Sequence, residues 1–185
     1  MNRKTLQPSM PPIAMLRLAV TGRPGIGKTT FCLNVFNSLK DGTDICGFIT
    51  REVREKGKRV GFKLNELNTG EEAWLAKVDN DSSVRVGKYG VMVDAVSQFS
   101  GGLDCSNSEL CIIDEIGPME LKSKQFVQLI EHLLSTDISC IFTVHQKSRH
   151  KLVETVKKEC EVITLDESNR DSVVDEVVGR YDPGR

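Results

Sequence analysis

Residues 20–31 read VTGRPGIGKTTF, with Gly22, Gly25 and Gly27 crowded into six positions and a lysine and two threonines directly after them. The run Gly22-Arg23-Pro24-Gly25-Ile26-Gly27-Lys28-Thr29 satisfies G-x-x-x-x-G-K-[ST] at every fixed position. Glycines let a backbone take conformations that a Cβ would block, so successive N–H groups can turn inward and cradle an anion. The positive end of a helix behind the loop strengthens that cradle. In such a loop Lys28 reaches the β- and γ-phosphates and the Thr29 hydroxyl ligates Mg²⁺, while Thr30 caps or packs in the first turn. The chemistry these residues point to is nucleotide-phosphate binding.

A second constellation is LCIIDEIGPME, an apolar run closing on two carboxylates. Asp114 is positioned as the acid that holds Mg²⁺. Glu115 is positioned to orient or deprotonate a water at the γ-phosphate. The strand of Asp114 is expected beside the strand that precedes the glycine loop. Glu120 is expected to open the next helix, where an acid is favoured by the helix dipole alone. Thr143 and His145 close another apolar run and are read either as γ-phosphate contacts or as a helix cap. Between 51 and 59, Arg51, Arg54, Lys56, Lys58 and Arg59 alternate with Glu52 and Glu55. The readings are a solvated hairpin, a flap arginine reaching the phosphates, and a nucleic-acid contact. The last is not favoured, because aromatic residues are sparse there. Trp74 is read as core.

These groups need a frame. Apolar runs at 16–20, 44–50, 109–116, 138–144 and 160–165 alternate with helical periodicity at 28–40, 124–135, 150–159 and 172–181. The spacing predicts an α/β sandwich with a mostly parallel central sheet and helices on both faces. Two alternating runs flanking EKGK predict a β-hairpin after the second strand, followed by a short strand at 71–76. KYGVMVDAVSQF reads as a loop becoming a helix.

The 185 residues suit one domain, taken as 15–185, behind a leader at 1–14 whose three prolines and missing apolar stretch exclude a secretory signal. A net charge of −1 excludes a strong global attraction to nucleic acid, and no apolar run is long enough for a membrane span. The six cysteines form no C-x-x-C and are not spaced with histidines as a zinc site. They are read as small buried hydrophobes in a reducing cytoplasm.

The ordered motifs TGRPGIGKTT, GFITREVREKGKRVGF, VGKYGV, IIDEIGPMEL and ESNRD, spanning residues 16 to 171, resemble the THEP-type nucleoside-triphosphatases. The resemblance implies a P-loop domain that hydrolyses nucleoside triphosphates (ATP, GTP, CTP, UTP) to diphosphate and phosphate, with Mg²⁺ and broad base tolerance. It assigns Lys28, Thr29, Asp114 and Glu115 the roles already derived and makes Asn169 and Arg170 candidates to border the base. The chain departs from the family after IFTV, where relatives tend to have a proline and this sequence has His145-Gln146. Two other readings use the same loop: a kinase acting on a nucleoside, nucleotide or polynucleotide, and a slow nucleotide switch. The sequence carries no sign of the oligomeric state.

Overall fold

A computed structural model describes residues 15–181; the expected leader at 1–14 lies outside the described residues. Five strands form a parallel core in the spatial order β2 (Ile45–Glu55), β7 (Leu110–Ile116), β8 (Ser139–Val144), β1 (Arg17–Gly22) and β9 (Glu161–Leu165). Strands buried on both faces are nearly all apolar, which is why these runs read as continuous hydrophobics.

Successive side chains face opposite sides of a strand. In β7, Leu110 and Ile112 join one buried cluster, while Cys111 and Ile113 join the other. Helices α1 (Lys28–Leu39) and α5 (Val173–Tyr181) supply Phe31, Val35, Val173 and Val177 to the first cluster. Helices α2 (Val93–Gly102), α3 (Lys124–Ser135) and α4 (Lys151–Glu159) cover the other face through Val96, Phe126, Ile130, Leu133, Val153 and Val156.

The hairpin expected after the second strand is present and continues the central sheet. Strand β2 runs on beyond the parallel core and turns at Lys56-Gly57 into β3 (Lys58–Glu66). Then β4 (Glu72–Lys77), β6 (Tyr89–Val91) and β5 (Arg85–Val86) extend the same sheet antiparallel, giving nine strands among the described residues. Strand β6 falls in KYGVMV, expected as loop, and with β5 it makes this small outer hairpin; runs of two and three residues are too short to show a periodicity.

One expected adjacency is corrected. Strand β7 does not lie beside β1, because β8 sits between them and pairs with both. The two halves of the site are therefore bridged across a third strand. The cysteine expectation is also corrected in part. Cys46 and Cys105 form a disulfide with Cα atoms 5.5 Å apart, while Cys32, Cys111, Cys140 and Cys160 are buried and free. The pairing spans 59 residues and depends on the loop before β7 folding back over the start of β2, which spacing alone does not reveal.

Candidate active site

The glycine loop joins the end of β1 to the start of α1, on the edge of the sheet where the parallel strands end. Gly25 and Gly27 have φ of 78° and 111°, which favours glycine over residues with a Cβ. Ile26 is buried against the apolar cluster under α1 and anchors the loop from below. No side chain caps α1, and no acid lies in its first turn. The free N–H groups of a helix end without such a cap are suited to an anion.

Lys28 and Thr29 then project toward the end of β7. Thr29 Oγ1 donates to Asp114 Oδ2 at 2.6 Å, and Thr143 Oγ1, from the intervening β8, donates to Asp114 Oδ1 at 2.5 Å. Thr50 Oγ1 donates to the backbone carbonyl of Asp114 at 2.8 Å. Asp114 is only 1% exposed, and burial pushes its carboxyl above the usual range, opposed by the Thr143 and Thr29 hydrogen bonds.

The pairing of β7 with β8 shifts register between Ile113 and Ile116. Such an irregularity re-aims side chains at a strand end, and Asp114 and Glu115 contact different groups. Glu115 Oε2 lies 3.2 Å from Lys28 Nζ. The carboxylate read as the base is held by the cation read as the phosphate ligand.

Glu120 differs from its expectation. It opens a separate 3₁₀ turn (Glu120–Lys122) rather than α3, and is 4% exposed. A Cβ built on Gly117 would fall 2.8 Å from Glu120 Oε2 and 3.3 Å from Glu115 Oε1, so both carboxylates close on that glycine. Burial pushes the Glu120 carboxyl up to about 8, with Glu115 and Asp114 adding to the rise. Glu120 is therefore a buried carboxyl rather than an exposed acid in the first turn of α3.

A cavity of about 850 Å³ opens over this cluster. It is lined by Lys28, Thr29, Asp114, Glu115 and Glu120, by the apolar Phe62, Leu75 and Met119, and by His145. Thr143 thus holds Asp114, while His145 faces the cavity. Of the hairpin cations, Arg54 and Arg59 both pair with Glu52, whereas Arg51 lines the cavity. Phe62 and Leu75 were not singled out in the sequence; their membership depends on the curl of the antiparallel wing.

A second hollow of about 620 Å³ lies on the other side of the glycine loop, bordered by Gly25, Gly27, Thr30, Asn34 and Arg170. Arg170 therefore lies beside the loop. Asn169 does not line this hollow: its amide donates to the Thr164 carbonyl at 2.9 Å and accepts from Asp166 N–H at 2.9 Å. Arg23 pairs with Glu167 across the loop mouth, and Pro24 and Gly22 line the first cavity.

A parallel sheet with this loop after its first strand and a buried aspartate across from the loop threonine defines a P-loop nucleoside triphosphatase. The family model that matches residues 17–178 is described as NTPase. The chain is 49% identical over 162 residues to the nucleoside-triphosphatase THEP1 of Archaeoglobus fulgidus, covering 88% of this chain and 96% of that one. It is 39% identical over 171 residues to that of Methanosarcina acetivorans, covering 90% and 97%. Among solved structures, a human cancer-related nucleoside triphosphatase shares 30% identity with a TM-score of 0.75, covering 92% and 99%. THEP1 from Aquifex aeolicus shares 27% with a TM-score of 0.75, covering 90% and 99%. The chain belongs to the THEP-type nucleoside-triphosphatase family. It is an enzyme that hydrolyses nucleoside triphosphates, and its relatives give the kinase reading no support. Among the described residues no helix is long and apolar enough to cross a membrane.

Proposed function

We propose that the protein converts nucleoside triphosphates and water to diphosphates and phosphate, with Mg²⁺ and with broad tolerance of the base. The observation that carries the reading is the Lys28–Glu115 pair beside the Thr29–Asp114 contact, at the mouth of the glycine loop. Backbone N–H groups of the glycine loop and of the first turn of α1 bind the phosphates. Lys28 exchanges the Glu115 carboxylate for phosphate oxygens as the nucleotide enters. That exchange releases Glu115 to accept a proton from water above the γ-phosphate. Arg51, on the cavity wall, is the hairpin cation placed to meet the charge on the transferred group.

The donor set fits a hard divalent cation: a threonine hydroxyl and a carboxylate face each other, with Thr143 and Thr50 orienting Asp114. Thr29 and Asp114 would hold Mg²⁺, which when bound neutralises charge on the β- and γ-oxygens. Base tolerance is supported by Asn169, whose amide is engaged by its own loop. That leaves Arg170 of the two candidates at the second hollow.

The test is phosphate release from ATP, GTP, CTP and UTP, with Mg²⁺ and with excess chelator. The four efficiencies should lie within about tenfold, the scale of one hydrogen bond of about 1 kcal/mol, and all should vanish with chelator. Undiminished release in chelator would overturn the metal assignment. A preference beyond about a thousandfold, roughly 4 kcal/mol, would overturn the base tolerance.

A further inference from the structure

At the starts of β2 and β7, away from the strand ends that carry the glycine loop and Asp114, three sulfurs meet. Cys46 and Cys111 are each the second residue of their strand, β2 and β7, and stand side by side in the parallel register. Both face the cluster covered by α2, α3 and α4, and both are buried. Cys105 comes down on them from the loop between α2 and β7. The three Sγ atoms all lie within 4.8 Å of one another. Among the described residues this is the one grouping of three or more His, Cys, Asp or Glu ligand atoms so placed.

A disulfide needs two of these sulfurs and leaves Cys111 without a role. A trigonal metal centre needs all three. Metal–thiolate bonds of about 2.3 Å place the sulfurs of such a centre about 4.0 Å apart. The Cys105 and Cys111 sulfurs already stand at 4.0 Å. The bonded Cys46–Cys105 edge has to open, and Cys105 lies on the loop between α2 and β7 rather than in a strand. No imidazole or carboxylate belongs to the group, so the donor set is sulfur alone. All-thiolate sites select soft ions over Mg²⁺, Ca²⁺ or Mn²⁺. Burial pushes the Cys111 thiol well up, so an ion that displaces its proton must bind thiolate strongly.

We propose that Cys46, Cys105 and Cys111, once the disulfide is reduced, form a three-sulfur site for a soft d¹⁰ metal ion. The redox step is balanced with a phosphine as reductant. The phosphine is oxidised to phosphine oxide with the oxygen of one water, and the two sulfurs are each reduced to a thiol. The ion then replaces three thiol protons, which leave to solvent. The site is independent of the hydrolytic reaction and uses none of its residues.

Anaerobic titration with Cd²⁺ tests this on the full-length protein, reduced with a phosphine and then freed of it. One Cd²⁺ per chain should bind with a sulfur-to-cadmium charge-transfer band in the ultraviolet, and the oxidised protein should show no such band. Cys111→Ala keeps the pair that forms the disulfide and should weaken Cd²⁺ binding by at least about a hundredfold, equivalent to about 2.7 kcal/mol. Cys105→Ser, on the loop, should do the same without touching a strand; Cys32→Ala, on α1, should change nothing. Full-strength binding in both Cys111→Ala and Cys105→Ser, or no saturable band in the reduced wild type, would overturn the proposal.

Discussion

At the scale of single residues, the candidate active site brings together three carboxylates in different surroundings. Asp114 is held by two threonine hydroxyls, Glu115 by the Lys28 ammonium, and Glu120 by burial that favours its neutral form. The last has a measurable consequence. The Glu120 carboxyl rises from 4.5 to about 8 on folding. Between those values the native state keeps a proton that the unfolded chain has lost. Stability therefore falls as pH rises through that window and levels off above about 8. Glu120→Gln removes the titration while keeping shape. Its melting temperature should decline less than that of wild type from about pH 5 to pH 9, with the variant relatively more stable at the alkaline end. Parallel curves for the two proteins would show that Glu120 ionises normally. The sequence brought Glu120 into view but not its burial. Lys28, Thr29 and Asp114 were legible because motif spacing fixes their places, whereas Glu120 depends on how the Gly117-Pro118 turn folds back over the strand end.

At the scale of elements, the parallel core was the most legible part, because strands buried on both faces announce themselves as apolar runs. The order of those strands was not, since pairing leaves no mark on a run whose neighbours are equally apolar. That is why β8 was not foreseen between β1 and β7. Gly47 shows what does hold the order locally. It sits in β2 with φ of 128°, and a Cβ there would fall 1.9 Å from the Ile112 carbonyl oxygen in β7. The close approach of the two backbones requires glycine. Gly47→Ala should cost at least about 3 kcal/mol, from strain and from displaced strand pairing. Urea unfolding of the variant checks this, and a midpoint within error of wild type would mean that β2 and β7 separate there without penalty. In the sequence this glycine looked like any other inside an apolar run.

At the scale of the whole molecule, the sheet is continuous, with a parallel half that carries the glycine loop and an antiparallel half that lines the cavity. The Cys46–Cys105 bond closes the chain segment that contains the whole antiparallel wing and α2. A cross-link over 59 residues restricts the unfolded chain by about 4 kcal/mol in the loop-entropy model. Reduction should therefore lower the melting temperature by about 10 °C for a chain of this size. The Cys46→Ser, Cys105→Ser double variant should melt at the reduced value with or without reductant. Equal melting of oxidised and reduced wild type would show that the bond adds no stability. The central claim remains that this architecture delivers Glu115 to water at the γ-phosphate. In the proposed reading binding rests on the loop, Lys28, Thr29 and Asp114, and Glu115→Gln keeps the side chain's shape while removing only the charge that pairs with Lys28. The most direct measurement is single-turnover cleavage of γ-labelled ATP in ¹⁸O-enriched water with Mg²⁺, comparing wild type with Glu115→Gln. Wild type should release free phosphate carrying one solvent oxygen, and the variant should bind ATP within about threefold yet cleave it roughly 10²- to 10⁴-fold more slowly. Cleavage by the variant at the wild-type rate would contradict the account.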